Sequence, residues 1–154
     1  ERRRKAVRLV RFVLLGACLV MLYLLVDRFE LLTLQEDAMA PAYPPGSRLL
    51  LDMDPREPRR GDTVVYEHRG QARTARVAAL GGDCLEVRER ILHVEGERTL
   101  HRIEEPHRVP ERVPPGQLFL LNDNPRSRSP DSLRHGPVDP RRVRARVVTS
   151  IDFL

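Results

Sequence analysis

Serine, histidine and lysine are the side chains from which this sequence can assemble a nucleophile and a general base. It holds Ser47, Ser127, Ser129, Ser132 and Ser150, with His68, His93, His101, His107 and His135, but Lys5 is its only lysine. A hydroxyl attacks a carbonyl only when a neutral amine or imidazole beside it takes the proton, and a lysine serves only if desolvation lowers its pKa. A lone serine or histidine between Pro, Gly and Asp residues is more often a turn former or a solvated side chain. Cys18 lies within an apolar run and Cys84 far beyond it, so no disulfide framework is expected. No cofactor and no metal site is expected either.

Lys5 stands in a basic flank. Arg2, Arg3, Arg4, Lys5, Arg8 and Arg11 face Glu1 alone, and they account for the whole net charge of +5, leaving positions 27–154 formally neutral. The one later cluster, Arg141, Arg142, Arg144 and Arg146, is short and has no interleaved aromatics. Nucleic acid is therefore excluded as a partner. Behind the flank, Phe12 to Val26 carries no charge. Counted from Val7, the run is about 20 residues, enough to cross about 30 Å of hydrocarbon. Arg8 and Arg11 can snorkel at its inner end. The charge asymmetry places the N-terminus in the cytoplasm. Ala38-Met39-Ala40 mimics a leader-peptide cleavage site, but it lies about a dozen residues too far along and is followed by Pro41, so an uncleaved anchor in the lipid bilayer is expected. The predicted organisation is a cytoplasmic flank at 1–6, a transmembrane helix at 7–26 and an outer domain at 27–154.

The outer domain reads as mainly β. Hydrophobic content of 41% with 5% aromatics indicates an aliphatic core. Short Val/Leu/Ile-rich runs at Arg48–Met53, Thr63–His68, Arg73–Leu80, Cys84–Arg88, Ile91–Val94, Gln117–Leu121 and Val143–Ile151 alternate with turn residues. Thirteen prolines leave little room for long helices, so antiparallel sheets are predicted. The pattern from Asp27 to Glu36 fits an amphipathic stretch or a first strand equally well. Glu95–Arg112, rich in charge, His and Pro, reads as an exposed insertion.

Five short segments then follow in order: Ala38-Met39-Ala40-Pro41; Gly61-Asp62; Ala75-Arg76-Val77 leading to Gly82-Asp83; Asn122-Asp123-Asn124 with Ser129-Pro130-Asp131-Ser132-Leu133; and Gly136-Pro137-Val138. Behind a membrane anchor, this order resembles the type I signal peptidase family. The resemblance implies a signal-peptidase-like antiparallel β domain, with Met39, Pro41, Arg76, Gly82, Asp83, Asp123, Asn124, Asp131 and Ser132 at family-motif positions. It also implies a serine nucleophile and a lysine base. The serine position is Ala38 and the lysine position is Ala75, and methyl groups supply neither role. None of the other serines or histidines falls on these positions. Further departures surround them: Asn122 stands for glycine, Leu133 for arginine, Ala42-Tyr43 for Thr-Leu, and one residue is inserted between Asn124 and Ser129. Drift around a whole site points to a natural pseudoenzyme rather than a single engineered change.

Gly61-Asp62, Gly82-Asp83 and Asp123-Asn124 are predicted as turns, the last bonded through its side chains, and Asp131 as a partner for Arg134. The expected function is that of a catalytically inactive, signal-peptidase-like subunit of a larger membrane complex in the bacterial inner membrane, with its domain in the periplasm. Gly16 and Ala17 offer close helix approach there. Two alternatives stay open: a signal peptidase cutting secretory precursors but carrying inactivating substitutions, and a periplasmic module that binds extended peptides by strand addition.

Overall fold

A computed structural model describes residues 2–54, 57–104 and 109–151. It opens on helix α1, Arg2–Arg28, which contains a 19-residue apolar span, Val10–Arg28, of mean hydropathy 2.2 with none of it buried against the rest of the protein. The helix thus continues past the expected boundary at Val26 through Asp27 and Arg28. Arg28 is held there because its guanidinium donates from Nε (3.0 Å) and Nη2 (2.9 Å) to the two carboxylate oxygens of Asp52. The chain passes straight into strand β1, Phe29–Thr33, which settles the ambiguous stretch as a strand.

The other strands are β2 (Arg48–Asp52), β3 (Thr63–His68), β4 (Gln71–Leu80), β5 (Leu85–Arg88), β6 (Ile91–Val94), β7 (Glu97–Arg102), β8 (Leu118–Leu121) and β9 (Val143–Ser150). Helix α2, Ser132–His135, and a 3-10 turn at Pro140–Arg142 precede β9. All strand pairs are antiparallel, in a six-stranded sheet ordered β1-β2-β9-β3-β4-β8 and a three-stranded sheet ordered β5-β6-β7. The mainly β class follows from the sequence, and strands β3 and β6 occupy the ranges read from it.

Strand β7 corrects the reading of Glu95–Arg112 as an exposed insertion, although Glu105–Arg108 lie outside the described residues. Three tight hairpins explain it. Arg69-Gly70, Glu89-Arg90 and Glu95-Gly96 each have positive φ at both loop positions, the handedness that matches the twist of the flanking strands. Glu95-Gly96 is therefore a hairpin that sends the chain back along β6, with Thr99 Oγ donating to Leu92 O at 2.9 Å across a bulge. His101 and Ile103 then point inward, at 8% and 5% exposure.

The core divides into three clusters. Val64, Tyr66, Ala75, Val77, Leu118 and Leu120 belong to the first, Leu85, Leu92, Ile103 and Phe119 to the second. The third holds Leu34, Ala38, Met39, Leu49, Leu51, Val65 and Ala145. Successive residues of a strand face opposite sides, so Val64 and Val65 assign the first and third clusters to opposite faces of β3. At Gly81 even a methyl group would stand 2.6 Å from the Gly116 backbone nitrogen, which is why the turn after β4 contains Gly81-Gly82.

Candidate functional site

The motif segments converge on β4 and the loop after β8. Arg76, on β4, donates from Nε (2.7 Å) and Nη2 (2.5 Å) to the Asp123 carboxylate and from Nη1 to Gly61 O at 2.8 Å. One arginine thus joins three of the segments. Asp123 spends its carboxylate on this pair and not on a turn, which corrects half of the expected Asp123-Asn124 turn. Asn124 does form one, accepting from Arg126 N at 3.0 Å. Gly82, at φ +96°, and Asp83, whose Oδ2 accepts from Leu80 N at 2.7 Å, build the predicted turn after β4. Asp62 does the same before β3, accepting from Arg59 N.

Asp131 does not pair with Arg134. It is buried, caps α2 by accepting from Leu133 N at 3.1 Å, and accepts from Asn122 N at 3.2 Å. Arg134 instead donates to Arg128 O. A carboxylate next to helix and loop N–H groups is better placed than one paired in solvent. Ser132, also buried, accepts from Leu120 N at 2.9 Å. Both residues tie the loop to β8.

Ala38 and Ala75 are 1% and 0% exposed. Ala75 lies opposite Val64 in the β3–β4 register and belongs to its cluster, whereas Ala38 packs with Val65 on the other face. The fold does not place them in one cluster. Met39, fully buried, packs beside Ala38, and Pro41 lines an apolar hollow of about 490 Å³ with Ala42, Ala78, Leu100 and Leu121.

The residues preceding Ala38 carry chemistry that the sequence reading passed over. Glu36 accepts from Arg73 on β4 and from Ser129 Oγ, the latter at 2.8 Å. Asp37 accepts from Ser127 Oγ at 2.7 Å, and Asn124 Nδ2 donates to Asp37 O at 3.2 Å. Asn124 N also donates to Ala38 O at 2.9 Å. Ser127 and Ser129 are thus partners of specific carboxylates, not mere turn formers. The available signal was the pair of adjacent acids directly before the serine-position alanine.

Histidines also depart from the solvated picture. His101 bonds through Nε2 to Asn122 O at 2.7 Å, which fixes Nε2 as the donor because a carbonyl only accepts. His135 stacks on His68, with ring centroids 4.3 Å apart, and lies 3.1 Å from Tyr66 Oη through Nε2. Tyr66 Oη donates to Pro130 O at 3.0 Å, and burial pushes its phenol above the usual range. Burial likewise lowers the pKa of His135 and of His68, with adjacent positive charge adding to the effect at His68. A depressed histidine pKa means the folded state prefers the neutral ring. Its contribution is complete above about pH 6.5 and is lost as pH falls through the lowered value. The thermal midpoint is therefore expected to drop as pH falls below about 6.5, and His135→Gln to flatten that part of the profile. Thermal scans at three pH values check it.

Among the described residues no cluster of His, Cys, Asp and Glu has the arrangement of a metal site. The match to the family model of signal peptidase, peptidase S26, runs from residue 6 to residue 151. Among solved structures the chain is similar to a signal peptidase I from Enterococcus faecalis V583, with 24% identity, a TM-score of 0.47, and coverage of 61% of this chain and 98% of that one. No curated protein matches it. With nearly its whole length matched and the motif segments gathered around Arg76 and Asp123, the chain belongs to the signal peptidase family, peptidase S26.

Proposed function

We propose that this chain is a catalytically inactive member of its family, anchored by α1 with its N-terminus in the cytoplasm and its β domain in the periplasm of a bacterium, and serving as a binding or structural subunit of a membrane complex. The observation that carries the reading is the pair Ala38 and Ala75 at the positions where the family motif holds serine and lysine. Neither side chain can attack a carbonyl or accept a proton. Lys5, the only lysine, precedes the apolar span and cannot reach the domain. Support also comes from burial. A nucleophile must be open to substrate, and position 38 is 1% exposed. The basic flank before the span favours the stated orientation.

The test is incubation of the purified full chain with a secretory precursor carrying an Ala-x-Ala site, beside an authentic signal peptidase. No cleavage above background is expected. Turnover that persists through purification to homogeneity would establish an active peptidase and overturn the reading.

A further inference from the structure

The half of β4 that carries Ala75 has an unpaired edge. β8 pairs with β4 only from Arg76 to Leu80, so Gln71–Ala75 has β3 on one side and, among the described residues, no strand on the other. Such an edge presents backbone donors and acceptors to any extended segment that can reach it. Yet Ala38, Thr74 and Ala75 are all buried.

We propose that residues 34–37 and 124–129 form a self-occluding clasp across this open edge, with Glu36 and Asp37 as its latch. Glu36 links both sides: one carboxylate oxygen holds Arg73 on β4, and the other accepts from Ser129 Oγ at 2.8 Å. Asp37 adds a second tie, accepting from Ser127 Oγ at 2.7 Å, while Asn124 holds the backbone of Asp37 and Ala38 at 3.2 and 2.9 Å. The loop is braced from within, because Ser127 Oγ also accepts from Ser129 N at 3.2 Å and Asn124 Oδ1 from Arg126 N. Three of these bonds, from Arg73, Ser129 Oγ and Ser127 Oγ, have an ionised acceptor, and such bonds are stronger than neutral ones. An extended segment seeking β4 has to break them before it meets the strand edge. The chain thereby fills its own groove, and exchange at that groove waits on release of the 124–129 loop.

The proposal concerns access to position 38, not turnover, so it stands or falls apart from the loss of catalysis. In the full chain, with Cys18 and Cys84 changed to alanine, Ala38→Cys supplies a thiol under the clasp. Arg128→Cys is an exposed control, and Ala145→Cys is a control in the same buried cluster as Ala38. In detergent micelles, a methanethiosulfonate reagent is expected to modify position 38 far more slowly than position 128. Adding Glu36→Ala with Asp37→Ala should raise the rate at 38 at least about tenfold while leaving 145 unchanged, since only a local opening is released. Ser127→Ala with Ser129→Ala removes the same ties from the other side, and carries the test if the double acid variant does not fold. Three results overturn the proposal: position 38 reacting as fast as 128 in the parent, no acceleration when the latch is removed, or equal acceleration at 38 and 145.

Discussion

Ala38→Ser combined with Ala75→Lys is expected to leave precursor cleavage within tenfold of background, about a hundredfold or more below an authentic signal peptidase. Four obstacles combine. The new hydroxyl lies at a position that is 1% exposed, beneath the bonds that Asn124 and Asp37 make. The new lysine enters a site that is 0% exposed among Val64, Tyr66, Val77, Leu118 and Leu120, where three added carbons and a terminal amine overpack the cluster at a cost of about 1 to 3 kcal/mol. Burial there lowers the lysine pKa, as a general base requires. Geometry still has to bring base and hydroxyl to within about 3 Å, and the two positions belong to clusters on opposite faces of β3. On the proposed motif correspondence, the loop from Asn124 to Ser129 is also one residue longer than the family pattern. A misplacement of about 1 Å is enough for a hundredfold loss. The measurement is the cleavage rate of an Ala-x-Ala precursor by the double variant, with its thermal midpoint recorded alongside. A rate close to the authentic enzyme's would mean that the site geometry is intact and the alanines alone silence it.

Much of this fold was open to reading because the strands are short, aliphatic and bounded by Pro and Gly. Thr63–His68 and Ile91–Val94 have no competing helical period, so pattern alone sufficed. Strand β7 escaped because its sequence, ERTLHR, carries charges at Glu97, Arg98 and Arg102 and its inward face rests on Thr99 and His101 instead of aliphatic residues. The helix end escaped for a different reason. Asp27 and Arg28 look like a polar stop, but Arg28 finds a carboxylate 24 residues away, a tertiary contact that no local window contains. The motif segments were legible as a set, yet their partners were not: Arg76 to Asp123 spans 47 residues and Ser129 to Glu36 spans 93. Asp131 shows the limit most clearly. Its neighbour Arg134 offered a local ion pair, and the fold gave the carboxylate to two backbone N–H groups instead.

Removing residues 1–27 is expected to release a folded, soluble domain that binds the proposed membrane complex roughly a hundredfold or more weakly than the full chain. The described large apolar side chains of α1 are 56% to 72% exposed and take no part in the three core clusters, so the β domain keeps its core without them. Arg28 has to be retained. Asp52 is 3% exposed, and its carboxylate is held below the usual range first by the hydrogen bonds from Arg28. A depressed carboxylate contributes its stability above its ordinary pKa of about 4 and loses it as pH falls through the lowered value. A domain beginning at Phe29 should therefore be less stable at pH 7 than one beginning at Arg28, with the difference shrinking as pH falls below about 4. For the stable version, losing α1 removes one of the two linked contacts of the proposed complex, and linkage of this kind raises affinity by about 10² to 10⁴ without new bonds. Extraction in mild detergent followed by size separation measures it. The full chain should migrate with its partners, and the domain starting at Arg28 should elute alone. Equal retention of both would locate all the affinity in the β domain, and a full chain that elutes as a monomer would remove the complex-subunit reading and favour peptide binding in its place.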